Sequence, residues 1–503
     1  MQRRAFEGKE SMEHLLDFGV RRFASEVPGL PEPVAGGLLI PPGRVSILHR
    51  MPGAEVYRHG WNSWSPTGWR AMDGPPLRIA SPRRRLTADD NAWDEERRHH
   101  SAGVAALADR DGGNVLLLGA LGLDVPRLAV DRDVLAGWYE SGGSPWFCGY
   151  GRELEVFARY AELLGMRLGR GRNKAGPVWC SWYAYYEDID EEKLLRDLGD
   201  LSGLSFGVFQ IDDGWERAVG DWQPNARFPA GMDAMARRIE AAGVTPGLWL
   251  APFIATPGAS IVRERPHLFL RDDRGDLLTA GYNWGGPYHA LDLTLPEAQD
   301  HLAGVISRVA GWGYRYLKLD FVNAAAVSAQ RSQPGVGREA CYRNAMQLIR
   351  EAAGPDVYLL GSGAPVLASI GVCDGIRIGP DVGPMWTHYA TDDPSDATAQ
   401  NALATSVCRL WLGSLLDIDP DVVYFRSRSN LLTARQRQLL VRLAQACGFL
   451  STSDPWSWLS EEERSALAEF LCARLPVERL SRYRVRLDGT VVDFAAAAAR
   501  EDV

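Results

Sequence analysis

Apolar runs alternate with amphipathic stretches over most of the chain after residue 177. Short apolar runs are typical of buried strands, and eight of them lie at residues 178–186, 206–211, 245–252, 314–321, 358–363, 375–379, 415–418 and 448–451. Stretches with apolar positions three and four residues apart predict helices, and these lie at residues 191–201, 231–242, 296–311, 338–353, 395–412 and 433–446. The alternation predicts an α/β fold with a (β/α)8 TIM barrel, although an open doubly wound sheet would produce the same pattern. The number of strands and the lack of a glycine-rich nucleotide motif favour the barrel.

The segment before this alternation contains short β-like runs, such as Gly37–Ile40, Arg44–His49 and Val115–Gly119, which Pro, Gly and Asp-Gly turns separate. Such spacing predicts an antiparallel β-sandwich. At the other end of the chain, Tyr483–Phe494 predicts two strands around an Asp-Gly turn. We therefore predict an N-terminal antiparallel β-sandwich domain over residues 1–172, a catalytic barrel over 173–475 and a small C-terminal β unit over 476–503.

Charge and composition disfavour several classes of function and partner for this chain. Of the 503 residues, 55 are basic and 64 are acidic, so the formal net charge is −9, and this balance disfavours nucleic acid as a partner. No apolar run approaches the length of a membrane helix, and the first ten residues lack the apolar segment of a secretory signal. The 7 cysteines form no CxxC pair, which is typical of reduced thiols in the cytoplasm. We therefore expect a cytoplasmic protein with no membrane association and no cofactor.

Charged residues interrupt two predicted strands near their carboxyl ends, where TIM barrels carry their active sites. Because side chains alternate along a strand, Lys318 and Asp320 share one face of the fourth strand, and its apolar residues share the other. In the sixth strand, Asp381 and an arginine lie together in the same way, and Gly375 and Gly379 remove bulk from their face. Each charged pair is either a structural ion pair or part of a site, and the two glycines favour a site.

Polar and aromatic residues end other predicted strands. Asp212 and Asp213 precede a glycine after the second strand, where they could bind a metal, accept hydrogen bonds from sugar hydroxyls or form a plain turn. No further oxygen ligands follow closely, which disfavours the metal. Trp249 on the third strand, and Trp182 and Tyr183 after the first, offer rings for the apolar face of a sugar, although domain packing would use them equally well. Together with two inward carboxylates, this pattern indicates a glycosidase.

Four segments together resemble the α-galactosidases of glycoside hydrolase family 36, most of all the compact bacterial members. They are Trp-Cys-Ser-Trp-Tyr at 179–183, Gln-Ile-Asp-Asp-Gly at 210–214, Tyr-Arg-Tyr-Leu-Lys-Leu-Asp-Phe at 314–321 and Asp-Gly-Ile-Arg-Ile-Gly-Pro-Asp at 374–381. Their order and spacing also match, and the resemblance extends over about residues 50–495. It implies an N-terminal β-sandwich, a central (β/α)8 barrel, a small C-terminal β unit and retention of configuration through a covalent glycosyl-enzyme.

The resemblance implies a role for the charged residues of these segments. The family's nucleophile falls at Asp320 and its acid/base at Asp381, with Arg377 beside the acid/base. In a double displacement Asp320 must be ionised, which Lys318 favours by lowering its pKa. Asp381 must start protonated, which burial and the negative charge of Asp320 favour by raising its pKa, whereas Arg377 opposes that shift.

The resemblance also implies the sugar-binding positions. Lys318 and the corner formed by residues 212–213 match positions that hold galactose hydroxyls, and Trp64 matches the tryptophan that closes the pocket from the N-terminal domain. The fifth strand ends at Ser362 and Gly363, where relatives carry Cys in place of Ser362, and this end lies near the 2-position of the sugar. The preference for galactose over N-acetylgalactosamine is therefore left open.

We predict a retaining exo-α-galactosidase that removes terminal α-D-galactosyl residues from galacto-oligosaccharides. The alternatives are a retaining α-glycosidase of the same fold for another sugar, such as an α-N-acetylgalactosaminidase, an α-galactosyl transferase, and a carbohydrate-binding or sensor protein without activity. The expected partner is an α-galactoside oligosaccharide, with no nucleic acid and no membrane, and the sequence leaves a homo-oligomer open.

Overall fold

The computed structural model describes residues 20–25, 31–49, 51, 53–89, 98–109 and 113–500, and two antiparallel sheets form its N-terminal part. The five strands of the first sheet lie in the spatial order Val20–Ser25, Val45–His49, Val134–Tyr139, Pro126–Val130 and His99–Ala102. The seven strands of the second lie in the order Glu32–Val34, Gly37–Ile40, Trp146–Arg152, Asn114–Ala120, Val104–Ala108, Glu55–Arg58 and Gly68–Ala71. Side chains from both sheets, including Ile47, Leu118 and Leu128, form one apolar core. The prediction of antiparallel sheets in this part of the chain is confirmed.

A helix at Glu153–Leu168 follows the last of these strands, in a region that the sequence pattern presents as β-rich. Its buried side chains, among them Val156, Tyr160 and Leu164, recur at helical spacing and face the second sheet and the central part of the molecule. The apolar stripe is therefore present in the sequence, but the neighbouring turn-bounded strands obscure it.

A parallel sheet of eight strands forms the centre of the molecule. Its strands are β1 (Val178–Cys180), β2 (Val208–Ile211), β3 (Thr245–Leu250), β4 (Tyr316–Leu319), β5 (Tyr358–Gly361), β6 (Gly375–Arg377), β7 (Asp417–Asp419) and β8 (Ser451–Thr452). Strands β1 to β7 lie side by side in chain order, and β8 lies beside β1. Each of the eight apolar runs overlaps one of these strands, so their prediction is confirmed.

The two edges of this sheet approach each other because the sheet curls. Val423, which follows β7, forms a parallel bridge with Thr452 of β8. The Val423 N–H also donates a hydrogen bond of 2.8 Å to the carbonyl of Ser451. Most residues of the central strands are buried, which explains why the strands appear in the sequence as continuous apolar runs.

Helices connect the central strands and cover the sheet. The longer ones are Glu191–Asp200, Met232–Ala241, Pro296–Gly311, Arg338–Ala353, Ala399–Val407, Ala434–Cys447 and Glu461–Cys472. The first six confirm predicted helices, but the predicted helix 395–412 is an α-helix only to Val407 and is followed by a 3-10 helix at Leu410–Ser414. Local signals set helix ends: Thr433 and Gln436 form a capping box, and Gly448 closes the same helix in the left-handed conformation.

Smaller elements complete the fold. A hairpin of Glu216–Ala218 and Asp221–Pro224 follows β2, and a three-stranded sheet of Ile254–Ala255, Gly286–Ala290 and Thr279–Asn283 follows β3. The C-terminal sheet contains Arg484–Leu487 and Thr490–Asp493, which confirm the two predicted tail strands, and an unpredicted third strand, Val477–Arg479. Short helices lie at Pro82–Thr87, Trp182–Tyr185, Ser260–Glu264, Pro266–Leu268, Val322–Ala326, Val366–Ser369, Trp456–Trp458 and Ala495–Ala498.

Arg409 joins the N-terminal part to the central sheet. Its side chain is completely buried, and its guanidinium donates hydrogen bonds to the backbone carbonyls of Gly60, Asn62, Ser63, Ser65 and Ile378 at 2.7–3.1 Å. A second connection lies nearby, where the Trp61 indole donates to Glu339 over 2.8 Å. The loop at residues 60–65 is therefore held in place by Glu339, 278 positions after Trp61, and by Arg409, 349 positions after Gly60.

We expect Arg409→Lys to destabilise the protein by about 2–4 kcal/mol, because an ammonium cannot replace the planar fork and leaves buried carbonyls without donors. The shift would be measured by thermal and urea unfolding, followed by circular dichroism and tryptophan fluorescence. Arg435→Lys is the matched control, since Arg435 is exposed and the change there should stay within about 0.5 kcal/mol. Equal stability of the two variants would show that the hydrogen bonds from the Arg409 guanidinium to the five carbonyls do not contribute to stability.

Candidate active site

A cavity of about 250 Å³ opens at the carboxyl ends of the central strands. Most of the predicted site residues line it, and the N-terminal part contributes to its wall. The lining consists of Trp64, Ile79, Arg84, Thr87, Ala88, Trp182, Asp212, Asp213, Trp249, Tyr282, Asn283, Tyr288, Lys318, Asp320, Phe321, Pro380, Asp381, Ser395 and Ala397. The cavity therefore brings together side chains on or just beyond strands β2, β3, β4 and β6, from Asp212 to Asp381, which are 169 residues apart in the sequence.

Lys318 and Asp212 form a buried ion pair at the base of this cavity. The Lys318 ammonium lies 2.9 Å from Asp212 Oδ2, which also accepts hydrogen bonds from Gln210 at 2.5 Å and from the Cys180 thiol at 3.3 Å. Burial by itself lowers the pKa of Lys318, but the negative charges of Asp212 and Asp320 outweigh it and raise the pKa above its usual range. The lysine therefore remains a cation.

Asp320 lies just beyond β4, and donors on two sides orient its carboxyl group. The Trp249 indole donates to Oδ2 over 3.1 Å, and the Phe321 backbone N–H donates to Oδ1 over 2.9 Å. Phe321 has a φ of +53°, a left-handed conformation that is uncommon for an aromatic residue. The turn at Phe321 and the indole together fix Asp320 at the cavity wall.

Asp381 lies across the cavity in a second group of charges. Arg377 on β6 donates to Asp381 over 3.3 Å, to Asp419 over 3.0 Å and to Asp421 over 2.7 Å, so one guanidinium serves three carboxyl groups. Tyr183 donates a short hydrogen bond to Asp421 as well. Burial and the negative charge of Asp421 raise the pKa of Asp381 to about 6, while Arg377 acts in the opposite direction.

Aromatic side chains enclose the carboxyl groups. Trp249 is buried and Trp182 half-buried, and Trp64 enters from the loop that Arg409 holds. The Trp64 ring packs edge-on against Phe321, with ring centres 5.0 Å apart. A Cβ atom at Gly363 would lie 2.7 Å from the Trp64 ring, so only glycine leaves room for the indole at this position.

Four of the predicted binding residues lie outside the cavity lining. Arg377, Tyr183 and Ser362 are buried and do not line the cavity, and the Trp64 ring packs against the backbone of Gly363. Arg377 and Tyr183 therefore act on the cavity through Asp381 and Asp421, whereas Ser362 forms backbone hydrogen bonds with neighbouring strand ends, including one to the Leu319 carbonyl at 2.8 Å.

The expectation that Gly375 and Gly379 leave room for a ligand is wrong. A Cβ atom at Gly375 would lie 2.1 Å from the Tyr358 hydroxyl, and one at Gly379 would lie 2.7 Å from the Ser406 hydroxyl. Side chains of the protein fill both spaces. The two glycines therefore allow close packing around β6 and do not enlarge the site.

Four residues at the cavity, which the sequence motifs do not include, come from the segment between β3 and the next long helix. Trp284 donates to Asp213 over 2.8 Å, and Tyr282, Asn283 and Tyr288 complete this part of the wall. The Trp-Gly-Gly turn at residues 284–286 between two short strands is a hairpin signal. A long insertion after a central strand lies on the functional face of a barrel, so length and turn chemistry together point to this segment.

No group of three or more His, Cys, Asp or Glu side chains among the described residues is arranged to hold a metal ion. The carboxyl groups of the cavity are instead bonded to Lys318, to Arg377 or to the indoles of Trp249 and Trp284. In the same part of the chain, every helix is too short or too polar to cross a membrane.

Comparison with known proteins places this arrangement among glycosidases. The melibiase family model matches residues 151–351. A solved structure of TtGalA, an α-galactosidase from Thermus thermophilus in complex with p-nitrophenyl α-D-galactopyranoside, superposes with a TM-score of 0.87. The two sequences are 43% identical, and the match covers 94% of this chain and 97% of that one.

More distant relatives match over shorter segments. α-Galactosidase AgaA from Geobacillus stearothermophilus is 28% identical over 204 residues, which are 38% of this chain and 27% of the relative. The chain thus aligns with about a quarter of the length of this curated relative. A solved structure of AgaA, described as a GH36 α-galactosidase, matches with a TM-score of 0.57 at 17% identity, over 85% of this chain and 63% of that one, which supports the fold.

The Tyr288 hydroxyl is buried at the cavity and has no hydrogen-bond partner among the described residues. Because an unpaired buried hydroxyl is destabilising, we expect Tyr288→Phe to leave the protein equally stable or up to about 1 kcal/mol more stable. Tyr342→Phe is the matched control, since its buried hydroxyl bonds Ser369 over 2.7 Å, and its loss should cost about 1 kcal/mol. The free energy of unfolding of both variants is measured in urea. An equal loss of stability in both would contradict the conclusion that the Tyr288 hydroxyl has no hydrogen-bond partner.

Proposed function

This chain belongs to the α-galactosidases of glycoside hydrolase family 36, the melibiase family, and from this membership we propose that it hydrolyses terminal α-D-galactosyl residues of galacto-oligosaccharides. The observation that carries the proposal is the match over almost the whole of both chains to TtGalA. The cavity supports it, because a small pocket with several carboxyl groups and indole walls suits a single sugar ring.

We infer a double displacement with retention of configuration. Asp320 attacks C1 of the galactosyl unit, so that a bond from its carboxylate oxygen to C1 forms while the bond from C1 to the glycosidic oxygen breaks. Asp381 gives its proton to that oxygen, and the aglycone leaves. Asp381 then takes a proton from water, whose oxygen attacks C1 and releases galactose and the Asp320 carboxylate.

The electrostatics of the two aspartates support these roles. With its pKa raised to about 6, Asp381 is mostly protonated below that pH and can serve as the acid of the first step. Asp320 lies near the Lys318 ammonium and accepts two N–H bonds, which hold its carboxylate for attack. The two carboxyl groups therefore have different surroundings, and a pair with different surroundings can divide the roles of acid and nucleophile.

The Lys318–Asp212 pair supports recognition of galactose. The ammonium can donate to a sugar hydroxyl, the carboxylate can accept from it, and both groups are otherwise buried. A sugar with the hydroxyl in another orientation would leave these charged groups without partners, which is a strong basis for discrimination. Trp64, Trp182 and Trp249 would pack against the apolar face of the same ring.

We also infer that the central sheet closes into the predicted (β/α)8 barrel. The strand order, with β8 beside β1, is the order of a barrel, and the bridge between Val423 and Thr452 spans the remaining gap. Closure explains why side chains from alternate strands, Asp212 just after β2 and Lys318 on β4, meet inside the sheet.

We expect the protein to hydrolyse p-nitrophenyl α-galactoside and to be much less active on its N-acetyl analogue. Asp320→Ala should reduce kcat/KM at least about 10³-fold while the protein remains folded, because the nucleophile is lost. Asp300→Ala is the matched control, since Asp300 is exposed on a helix, and it should leave kcat/KM unchanged. Preference for the N-acetyl substrate would favour the α-N-acetylgalactosaminidase alternative, and no turnover of either would favour a binding protein.

We expect Asp381→Ala to reduce kcat/KM for natural oligosaccharides by about 10²–10⁴-fold, with a smaller effect on a nitrophenyl substrate, whose leaving group needs no proton. Azide should restore turnover of the nitrophenyl substrate and yield the α-galactosyl azide, because it attacks the glycosyl-enzyme in place of activated water. In Asp320→Ala, azide should instead replace the nucleophile and yield the β-anomer. NMR of the products distinguishes the two anomers of galactosyl azide. A β-azide from Asp381→Ala and an α-azide from Asp320→Ala would show that Asp381 is the nucleophile and Asp320 the acid/base.

A further inference from the structure

Glu216 lies close to the site although it does not line the cavity. It begins the hairpin strand Glu216–Ala218, three residues after Asp213, and its side chain is 8% exposed. Gly214 between them has a φ of +113°, and its N–H donates to Glu216 Oε2 over 3.3 Å. The turn brings the carboxyl groups of Asp213 and Glu216 onto the same side of the backbone.

Further hydrogen bonds fix this turn. Asn225 donates to the carbonyls of Gly214 and Glu216 at 2.8 and 3.2 Å, and Arg227 donates to the Gly214 carbonyl at 3.1 Å. A Cβ atom at Gly214 would lie 2.6 Å from the Glu187 carbonyl oxygen, so the backbone packs tightly here. The backbone positions of Asp213 and Glu216 are therefore set by the fold, so their carboxyl groups can move apart only by rotation of the side chains.

The two carboxyl groups lie within hydrogen-bonding reach of each other. Two carboxylates cannot form a hydrogen bond, because neither has a donor, so a bond between these side chains requires one shared proton. Trp284 donates to Asp213 Oδ2 over 2.8 Å and the Gly214 N–H donates to Glu216 Oε2 over 3.3 Å, and both carboxyl groups keep lone pairs that can accept the shared proton.

The surrounding charges favour keeping this proton. No lysine, arginine or histidine among the described residues forms an ion pair with Asp213 or Glu216. Asp212, just after β2, adds a negative charge, and Lys318 on β4 is bound to Asp212. Arg227 binds the Gly214 carbonyl and lies 3.8 Å from the carboxylate of Asp188. Burial, together with the charge of Glu216, raises the pKa of Asp213 to about 9.

We propose that Glu216 is a positioning residue of the sugar site, which shares one proton with Asp213 and thereby fixes the Asp213 carboxyl group and removes one negative charge from the cavity wall. This role rests on the proposed function, since Asp213 is taken to bind a galactose hydroxyl. Loss of the proton would leave Asp212, Asp213 and Glu216 all negative in a buried space. Asp213 would then separate from Glu216, and its geometry toward the sugar would be lost.

The test is the affinity for galactose between pH 7 and pH 10, measured by calorimetry with the full-length protein. Galactose carries no charge, and Asp381 is already ionised in this range. A change in affinity with pH therefore reflects the titration of other groups of the protein. For the native protein we expect a constant Kd up to about pH 8.5 and a rise of about tenfold per pH unit above pH 9, as for loss of one proton. In Glu216→Gln, an amide that donates at every pH replaces the shared proton, and the alkaline rise should disappear.

Glu240→Gln is the matched control, because Glu240 is exposed at the end of a helix, and it should keep the native pH dependence. An alkaline rise that persists in Glu216→Gln, or a native Kd that stays constant to pH 10, would overturn the proposal. Infrared titration of the native protein gives a second measurement: a protonated carboxyl band should vanish with a midpoint near pH 9, and its absence at pH 8 would also overturn it. If galactose fails to bind at any pH, the proposed function fails, while the infrared titration still decides whether the proton is shared.

Discussion

The site depends on crowding carboxyl groups into a buried space with too few cations to neutralise them. Asp320, Asp381 and the acids behind them are gathered around Lys318 and Arg377. Burial and the neighbouring negative charges raise the pKa of Asp381 to about 6, so this carboxyl group keeps its proton at a pH where an ordinary aspartate has lost it. The excess of acids provides both states of the carboxyl group within one cavity, and each state has a chemical use: a carboxylate can attack carbon, and a carboxylic acid can protonate a leaving oxygen.

The two cations differ in how they are used. Lys318 has a single close carboxylate partner, Asp212, and its ammonium reaches the cavity. Arg377 lies behind the wall and divides its guanidinium among Asp381, Asp419 and Asp421, so none of the three is fully neutralised. A compact ammonium suits direct contact with a sugar hydroxyl, and a planar guanidinium suits a buried network of several carboxyl groups.

Much of the fold and the centre of the site follow from the sequence, for identifiable reasons. The central strands are buried on both faces and therefore appear as apolar runs, and a charged residue within such a run, as at Lys318 and Asp320, is conspicuous. Glu216, Asp421 and Trp284 do not stand out in the sequence because each acts through a side chain that only the fold brings into contact with it: Asp213 for Glu216 and Trp284, and Arg377 for Asp421. Gly375 and Gly379 do not enlarge the site, because a glycine in the sequence indicates space without showing which side chain fills it.

Arg409 also bears on how the chain acquires its structure. The carbonyls of the loop that carries Trp64 receive their donors from a residue about 345 positions later. During synthesis from the N-terminus, the two antiparallel sheets can pair early, but this loop lacks its donors until most of the chain has emerged. Long-range contacts of this kind form late because the intervening chain must first be ordered. A cavity with Trp64 fixed in its wall is therefore a sign that the chain has been made and folded at least as far as Arg409.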